Sequence, residues 1–100
     1  MVNMIKGKTS SGFEFAVDER ILEDWSLVEA ISMADSDDES EQIRGLMNLV
    51  KLVLGDQFDA LKKHIADRND GYVPSPEVSA TIVEIIKTSR EIKNSSSSAG

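Results

Sequence analysis

The feature that most constrains the fold is the stretch of residues 41–64, EQIRGLMNLVKLVLGDQFDALKKH, which predicts two consecutive helices joined at Gly55. In its first half, apolar residues recur at the three-and-four spacing of one helical face. This face comprises Ile43, Leu46, Met47, Val50, Val53 and Leu54, and it is widened by Leu49 and Leu52. Because so broad an apolar face has to be covered, we expect this helix to be largely buried.

The junction between the two helices has its own sequence signals. Gly55 is expected to end the first helix in the left-handed conformation, which costs glycine little. Asp56 is expected to cap the next helix, since its carboxylate can accept hydrogen bonds from the first amides. In that helix Phe58, Leu61 and Ile65 share one face. Its solvent face carries Lys62, Lys63 and Asp67.

The first part of the chain predicts a β-hairpin, with arms at residues 2–8 and 13–17 around the turn formers TSSG. Phe13, Phe15 and Val17 would share one face of its second arm. Because a two-stranded hairpin is marginal alone in water, that face is expected to pack on the helices or on another chain, with the helices favoured.

Asp18 is expected to open the first helix, with Ile21, Leu22, Trp25, Val28 and Ile31 along one side, a stripe that Leu27 and Ala34 extend. A restart at Asp24 is an alternative, since Asp24 is also a good cap. Trp25 lies within this apolar stripe, so we expect it in the core.

A strong start signal follows the third helix, because Ser75 and Pro76 suit the cap and first position of a fourth. Val78, Ile82, Ile85, Ile86 and Ile92 would form its apolar face. The tail at residues 94–100 has no apolar residue to bury and is expected to be disordered. The prediction is a mainly α fold, a small four-helix domain with an N-terminal β-hairpin, in one domain over residues 1–93.

Two acidic segments are candidates for metal binding, and neither fits a calcium loop. Residues 35–41, DSDDESE, contain no glycine, and Ser36 and Ser40 there suit helix caps. Residues 67–71, DRNDG, place glycine fifth rather than sixth and have Val78 where the loop needs glutamate. We expect a solvated loop at the first and a helix end, with Gly71 as the turn residue, at the second. No metal or cofactor is predicted.

Net charge limits the classes of partner. The chain carries 18 acidic and 11 basic residues, a net charge of −7, and its basic residues form no cluster with aromatic ones. Such a balance disfavours nucleic acid and anionic lipid surfaces. The apolar runs are too short to span a bilayer, and the absence of cysteine suits a reducing cytoplasm. An intracellular protein is expected.

Enzymatic chemistry has little support in the sequence. His64 is the only histidine, and no pattern places a nucleophile or an orienting carboxylate beside it. We expect it at the edge of the core rather than as a general base. The sequence also lacks a phosphate-binding glycine loop and a metal-spaced histidine cluster, so a non-enzymatic protein is predicted.

Three stretches carry a resemblance to a known family. They are GFEFAVDERILEDWSLVEAI, LVKLVLGDQFDALKKHI and DGYVPSPEVSATIVEII, followed by KNSSSS. In this order the chain resembles the tail assembly chaperones of long-tailed phages and prophages of Gram-positive bacteria. The resemblance implies a protein that binds the tape-measure protein, keeps it soluble and recruits tail-tube subunits. It also implies action in the host cytoplasm, absence from the mature virion, and possible self-association.

Contact with such partners could use exposed apolar residues in a helix-in-groove mode, or the hairpin edge in β-strand addition. The partner-binding candidates are Phe13, Phe15, Trp25, Leu49 and Leu52, and core burial is the favoured explanation for the first four. Leu49 and Leu52 are the most open to partner contact, because a four-helix core need not cover them fully. The alternative function is a small adaptor or transcriptional regulator, in which the second and third helices form a helix-turn-helix. Against it, Asp56 and Asp59 begin the would-be recognition helix.

Overall fold

The computed structural model describes residues 3–98, and side chains up to residue 95. Two antiparallel strands precede four helices. The elements are β1 (Met4–Lys8), β2 (Glu14–Asp18), a 3-10 turn (Glu19–Glu23), α1 (Trp25–Ala34), α2 (Glu39–Val53), a second 3-10 turn (Gly55–Gln57), α3 (Phe58–Arg68) and α4 (Ser75–Ser98). The predicted fold class, a mainly α four-helix domain with an N-terminal hairpin, is confirmed.

The hairpin packs its apolar face on the helices, as expected. Phe13, Phe15 and Val17 are buried. Across the hairpin, Gly7 pairs with Phe15, and a side chain at Gly7 would collide with the Phe15 ring and approach Ile92 of α4. The turn is also anchored from outside, since Ser10 donates its backbone N–H and its hydroxyl to Glu84 of α4. Helix contacts therefore stabilise a hairpin that would be marginal alone.

The first helix begins later than the main prediction placed it. Asp18 caps only the 3-10 turn, accepting from the Arg20 amide at 2.9 Å, and Asp24 caps α1, accepting from the Ser26 amide at 2.8 Å. The alternative start at Asp24 is therefore the one observed. A second good cap inside the apolar stripe lets the chain break the helix and change direction there.

This break changes which face of α1 is buried. Leu27 and Ala30 are in the core, whereas Trp25 is 70% exposed and Val28 and Ile31 are also exposed. The expectation that Trp25 lies in the core is wrong. It assumed one continuous helix from Asp18. Because the helix is broken at Asp24, the apolar residues before the break no longer share a face with those after it.

Helix α2 is also rotated relative to its predicted face. Leu49, Val50 and Val53 are buried, but Ile43 and Met47, at the centre of the predicted face, are exposed. The helix begins at Glu39, and its cap is Asp38, whose carboxylate accepts from the Ser40 amide at 2.9 Å. Residues 39–41 of the predicted acidic loop therefore belong to the helix, and neither predicted serine cap is its N-cap.

The junction after α2 confirms one prediction and corrects another. Gly55 has a φ of +54°, the left-handed conformation expected there. Asp56 lies within a 3-10 turn, and α3 starts at Phe58 with Gln57 as its N-cap residue, whose side chain makes no capping hydrogen bond to the helix. The predicted Asp56 cap is wrong, because the extra turn moves the helix start beyond it. Leu61 and Ile65 are buried as expected.

The last connection and α4 follow the prediction closely. After Arg68 the chain turns through Asp70 and Gly71, both with positive φ, and α4 starts at Ser75. Its predicted face is buried at Val78, Ile82, Ile85 and Ile86, with Ile92 partly buried. Helix α4 is described as far as Ser98, past residue 94, from which the sequence predicts a disordered tail. Residues 99 and 100 lie outside the described part.

Candidate protein-binding surfaces

Two apolar grooves lie on the surface of the helical domain. The α1–α4 groove, of about 390 Å³, is lined by Ile31, Ala34, Asp35, Leu46, Leu49, Ser79, Val83, Ile86, Lys87 and Arg90. The α2–α3 groove, of about 470 Å³, is lined by Ile43, Leu46, Met47, Val50, Lys51, Phe58, Val73, Ser75 and Val78. Leu46 contributes to both, so the two grooves flank one ridge of α2.

A close contact between α1 and α2 forms the floor of the α1–α4 groove. A Cβ at Gly45 would lie 2.3 Å from the backbone nitrogen of Ala34, so the end of α1 rests directly on α2. This contact brings Ala34 beside Leu46. Val83 on α4 is 51% exposed at the groove. Apolar side chains left open on a small domain are typical of binding sites.

The α2–α3 groove is formed by apolar residues one turn apart on α2, Ile43 and Met47, and by the partly buried ring of Phe58. Both α2 side chains are more than half exposed. Lys62 lies over the Phe58 ring, with its ammonium 5.1 Å from the ring centroid. Lys51 is the one charged residue in the lining, so this groove offers a mostly apolar surface.

The five predicted contact residues are not brought together. Phe13, Phe15 and Leu49 are core residues, as the favoured explanation had it, and Leu52 is partly buried against the same core. Only Trp25 is well exposed, on the outer side of α1. Leu49 does reach the floor of the α1–α4 groove, although it is only 4% exposed. The contact role of these residues stays a prediction.

Sequence reasoning missed the residues that do line the grooves from outside, notably Ile43, Met47, Val83, Lys87 and Arg90. Helix α2 carries apolar residues around most of its circumference, so periodicity alone could not choose the outward side. A usable signal was the small residue Gly45 in mid-helix, since a glycine there marks close approach of another backbone.

The structure also brings a serine to the histidine, which the sequence did not indicate. The Ser11 hydroxyl lies 3.1 Å from His64 Nε2, and the imidazole packs against the Phe13 ring with centroids 5.7 Å apart. Within residues 3–95, no hydrogen bond orients the second ring nitrogen, as a nucleophile–base pair would need. The partly buried His64 lies at the core edge, as expected, and helps fix the hairpin turn.

The outer edge of β2 is occupied by a side chain. Gln57 accepts a hydrogen bond from the Ala16 amide at 2.8 Å and donates one to the Ala16 carbonyl at 2.7 Å. The Gln57 side-chain amide takes the place of a neighbouring strand at Ala16, and so protects this edge of β2 from pairing with another chain. These hydrogen bonds also occupy Gln57, the residue before α3.

Two features disfavour a helix-turn-helix contact with DNA: Gln57 at the start of α3 is bound to β2, and the neighbouring Asp56 and Asp59 are exposed carboxylates.

Two ion pairs on the described surface shift the pKa of a carboxylate. The guanidinium of Arg20 holds the pKa of Asp18 below its usual value, mainly through a side-chain hydrogen bond, and Lys93 lowers the pKa of Glu23 in the same way. Within the described residues, no group of three or more histidine, cysteine or acidic side chains could hold a metal ion. The surfaces offered are therefore grooves rather than a cluster of titratable groups.

Comparison with known proteins adds no relative. No family model, curated protein or solved structure matches the chain. Among residues 3–98, none of the helices has the length and apolar character needed to cross a membrane.

Proposed function

We propose that the chain is a tail assembly chaperone of a long-tailed phage or prophage. It binds the tape-measure protein, keeps this partner soluble and recruits tail-tube subunits. It does so without enzymatic chemistry, in the host cytoplasm, and it is absent from the finished tail. The resemblance of the three sequence stretches motivates this choice among protein-binding functions.

The observation that carries the proposal is the pair of open apolar grooves on a small acidic domain. A chaperone needs apolar surface to hold an aggregation-prone partner, and it needs charge to keep the complex in solution. The grooves provide the first, and the net charge of −7 provides the second. Both features are independent of the resemblance.

Co-expression with the tape-measure protein of the same phage tests the proposal. We expect this partner to move from the insoluble to the soluble fraction and to copurify with the chain. The double variant Ile43→Gln/Val83→Gln, with one exposed substitution in each groove, should lose most of this effect. Ser11→Ala is the matched control outside both grooves, and it should keep the effect because no nucleophile is required.

Two results would contradict the proposal. One is a tape-measure protein that is equally insoluble with and without the chain. The other is loss of the solubilising effect in Ser11→Ala with a normal far-UV circular dichroism spectrum, which would indicate chemistry at the Ser11–His64 contact. Size-exclusion chromatography of the free chain would add whether it self-associates.

A further inference from the structure

The α1–α4 groove combines an apolar lining with two basic side chains, Lys87 and Arg90 of α4. Within the described residues neither makes a salt bridge, whereas Lys93 on the same helix pairs with Glu23 at 2.7 Å. What sets these two side chains apart is their position beside an apolar groove, on a chain with a net charge of −7. A partner that carries negative charge next to an apolar surface would complement them.

The two ends of the α1–α4 groove differ, because α1 and α4 run antiparallel. The Lys93–Glu23 pair joins the carboxyl half of α4 to the residues just before α1, and Asp35, just after α1, lines the groove together with Ser79. The lining from α1 comes from its last turn, at Ile31 and Ala34, and from its C-cap Asp35, whereas the lining from α4 runs from Ser79 to Arg90, about 16 Å at 1.5 Å per residue. An occupant lying along α4 would therefore make contact over about three helical turns.

The backbone of the groove walls limits what can bind there. The amides and carbonyls of α1 and α4 are used within their own helices, so the walls offer few backbone groups to an incoming strand. An extended segment would leave its own backbone groups unpaired against apolar side chains such as Ile31 and Val83, which is costly. A helix satisfies its backbone internally and presents only side chains.

We propose that the α1–α4 groove binds an amphipathic α-helix of a partner protein. The apolar stripe of this helix lies against Ile31 and Val83, and its acidic side chains pair with Lys87 and Arg90. Asp35 at the other end of the groove repels acidic residues, so the acidic residues of the partner lie toward the Arg90 end. For the identity of the partner this inference rests on the proposed function, in which the helix belongs to the tape-measure protein.

Synthetic peptides test the inference without the natural partner. Two fluorescein-labelled 18-residue helical peptides would share one leucine stripe and differ only in flanking charges, glutamate in one and lysine in the other. Fluorescence anisotropy with the full chain measures their affinities. We expect the glutamate peptide to bind about tenfold more tightly, since two exposed ion pairs are each worth up to about 1 kcal/mol. Added salt should weaken its binding.

Matched variants locate the site. Lys87→Glu/Arg90→Glu should weaken the glutamate peptide about tenfold and favour the lysine peptide. Lys6→Glu/Lys63→Glu makes the same change of net charge at exposed positions outside the groove and should have a much smaller effect. Val83→Gln should weaken both peptides, whereas Ile43→Gln, an equally exposed site in the other groove, should not. Circular dichroism checks that each variant folds.

Several outcomes would overturn the inference. They are equal affinity for both peptides, equal weakening by the two charge-reversal variants, or unchanged binding to Val83→Gln. A free chain that is dimeric and becomes monomeric in Val83→Gln would assign the groove to a second copy instead. If the peptides fail but co-expression still solubilises the tape-measure protein, this inference is wrong and the proposed function stands. If the peptides bind as expected but co-expression does not solubilise the tape-measure protein, the groove still binds a helix, and the tape-measure protein is not its partner.

Discussion

Gly45→Ala offers the sharpest test of how α1 and α2 pack. In a helix without neighbours, alanine is better than glycine by about 1 kcal/mol, so propensity alone predicts a more stable protein. Here the added Cβ would lie 2.3 Å from the Ala34 nitrogen and 2.7 Å from the Met33 carbonyl carbon. Both are backbone atoms of α1 that cannot rotate away, so the helices themselves have to separate.

The cost follows from the distance. Relieving the contact from 2.3 Å to 3.4 Å needs a shift of about 1 Å, which loosens the packing around the buried α1 residues Leu27 and Ala30. Overpacking of this kind costs about 1–3 kcal/mol, and backbone contact places it at the upper end. After the gain in propensity we expect a net loss of about 2 kcal/mol, which lowers the melting temperature by about 8–16 °C in a domain of this size.

Thermal and urea unfolding followed by circular dichroism at 222 nm would measure the change. The neighbouring exposed residue Arg44 supplies the control, since Arg44→Ala should exceed Arg44→Gly in stability by about 1 kcal/mol through propensity alone. Gly45→Ala should have the opposite sign. If it stabilises the protein as much as alanine does at position 44, then α1 and α2 do not approach as closely as described, and the floor of the α1–α4 groove is wrong as well.

Two further predictions concern buried and charged polar groups. Ser89 is fully buried and, among the described residues, its hydroxyl has no hydrogen-bond partner, so Ser89→Ala should raise the free energy of unfolding by about 1 kcal/mol in urea titrations. Thr81→Val, which removes a hydroxyl bonded to the Glu77 carbonyl, should give no such gain. A loss of stability in Ser89→Ala would reveal a partner for that hydroxyl. The lowered pKa of Asp18 means that its contribution to stability is present at neutral pH and is lost as pH falls through the folded pKa. In NMR titrations Arg20→Ala should raise that pKa toward its ordinary value of 3.8, with the remaining amide bond keeping it slightly low, and an unchanged pKa would contradict the ion pair.

The parts of the fold that could be predicted from sequence are those fixed by local chemistry. Gly55 and Gly71 were identifiable as turns because their positive φ values suit glycine. The start of α4 followed to within one residue from the pair Ser75 and Pro76, since Ser75 is the first helical residue rather than the cap. The hairpin face from Phe13 to Val17 followed from simple alternation. In each case a few neighbouring residues determine the conformation, so no knowledge of distant contacts was needed.

The orientation of α1 and α2 could not be predicted in the same way, because it depends on tertiary contacts. Asp18 and Asp24 are equally good caps, and only packing shows that the second one starts the α-helix and turns Trp25 outward. On α2, the apolar area of the two sides does not decide which side is buried. The close contact of Gly45 with Ala34 decides the side, and it leaves Met47 exposed. Because the outward side of α2 was ambiguous, neither groove could be predicted from the sequence.

The grooves follow from this packing rather than from a separate set of functional residues. Leu46 adjoins Gly45, so the contact that brings α1 onto α2 also places Leu46 between the two grooves, where it lines both. A larger residue at position 45 would separate the walls, and burial of Ile43 and Met47 would require the opposite rotation of α2, which would expose Leu49. The amphipathic sequence of α2 therefore contains more apolar surface than one core can cover, and the helix spacing set by Gly45 determines where the excess is presented to a partner.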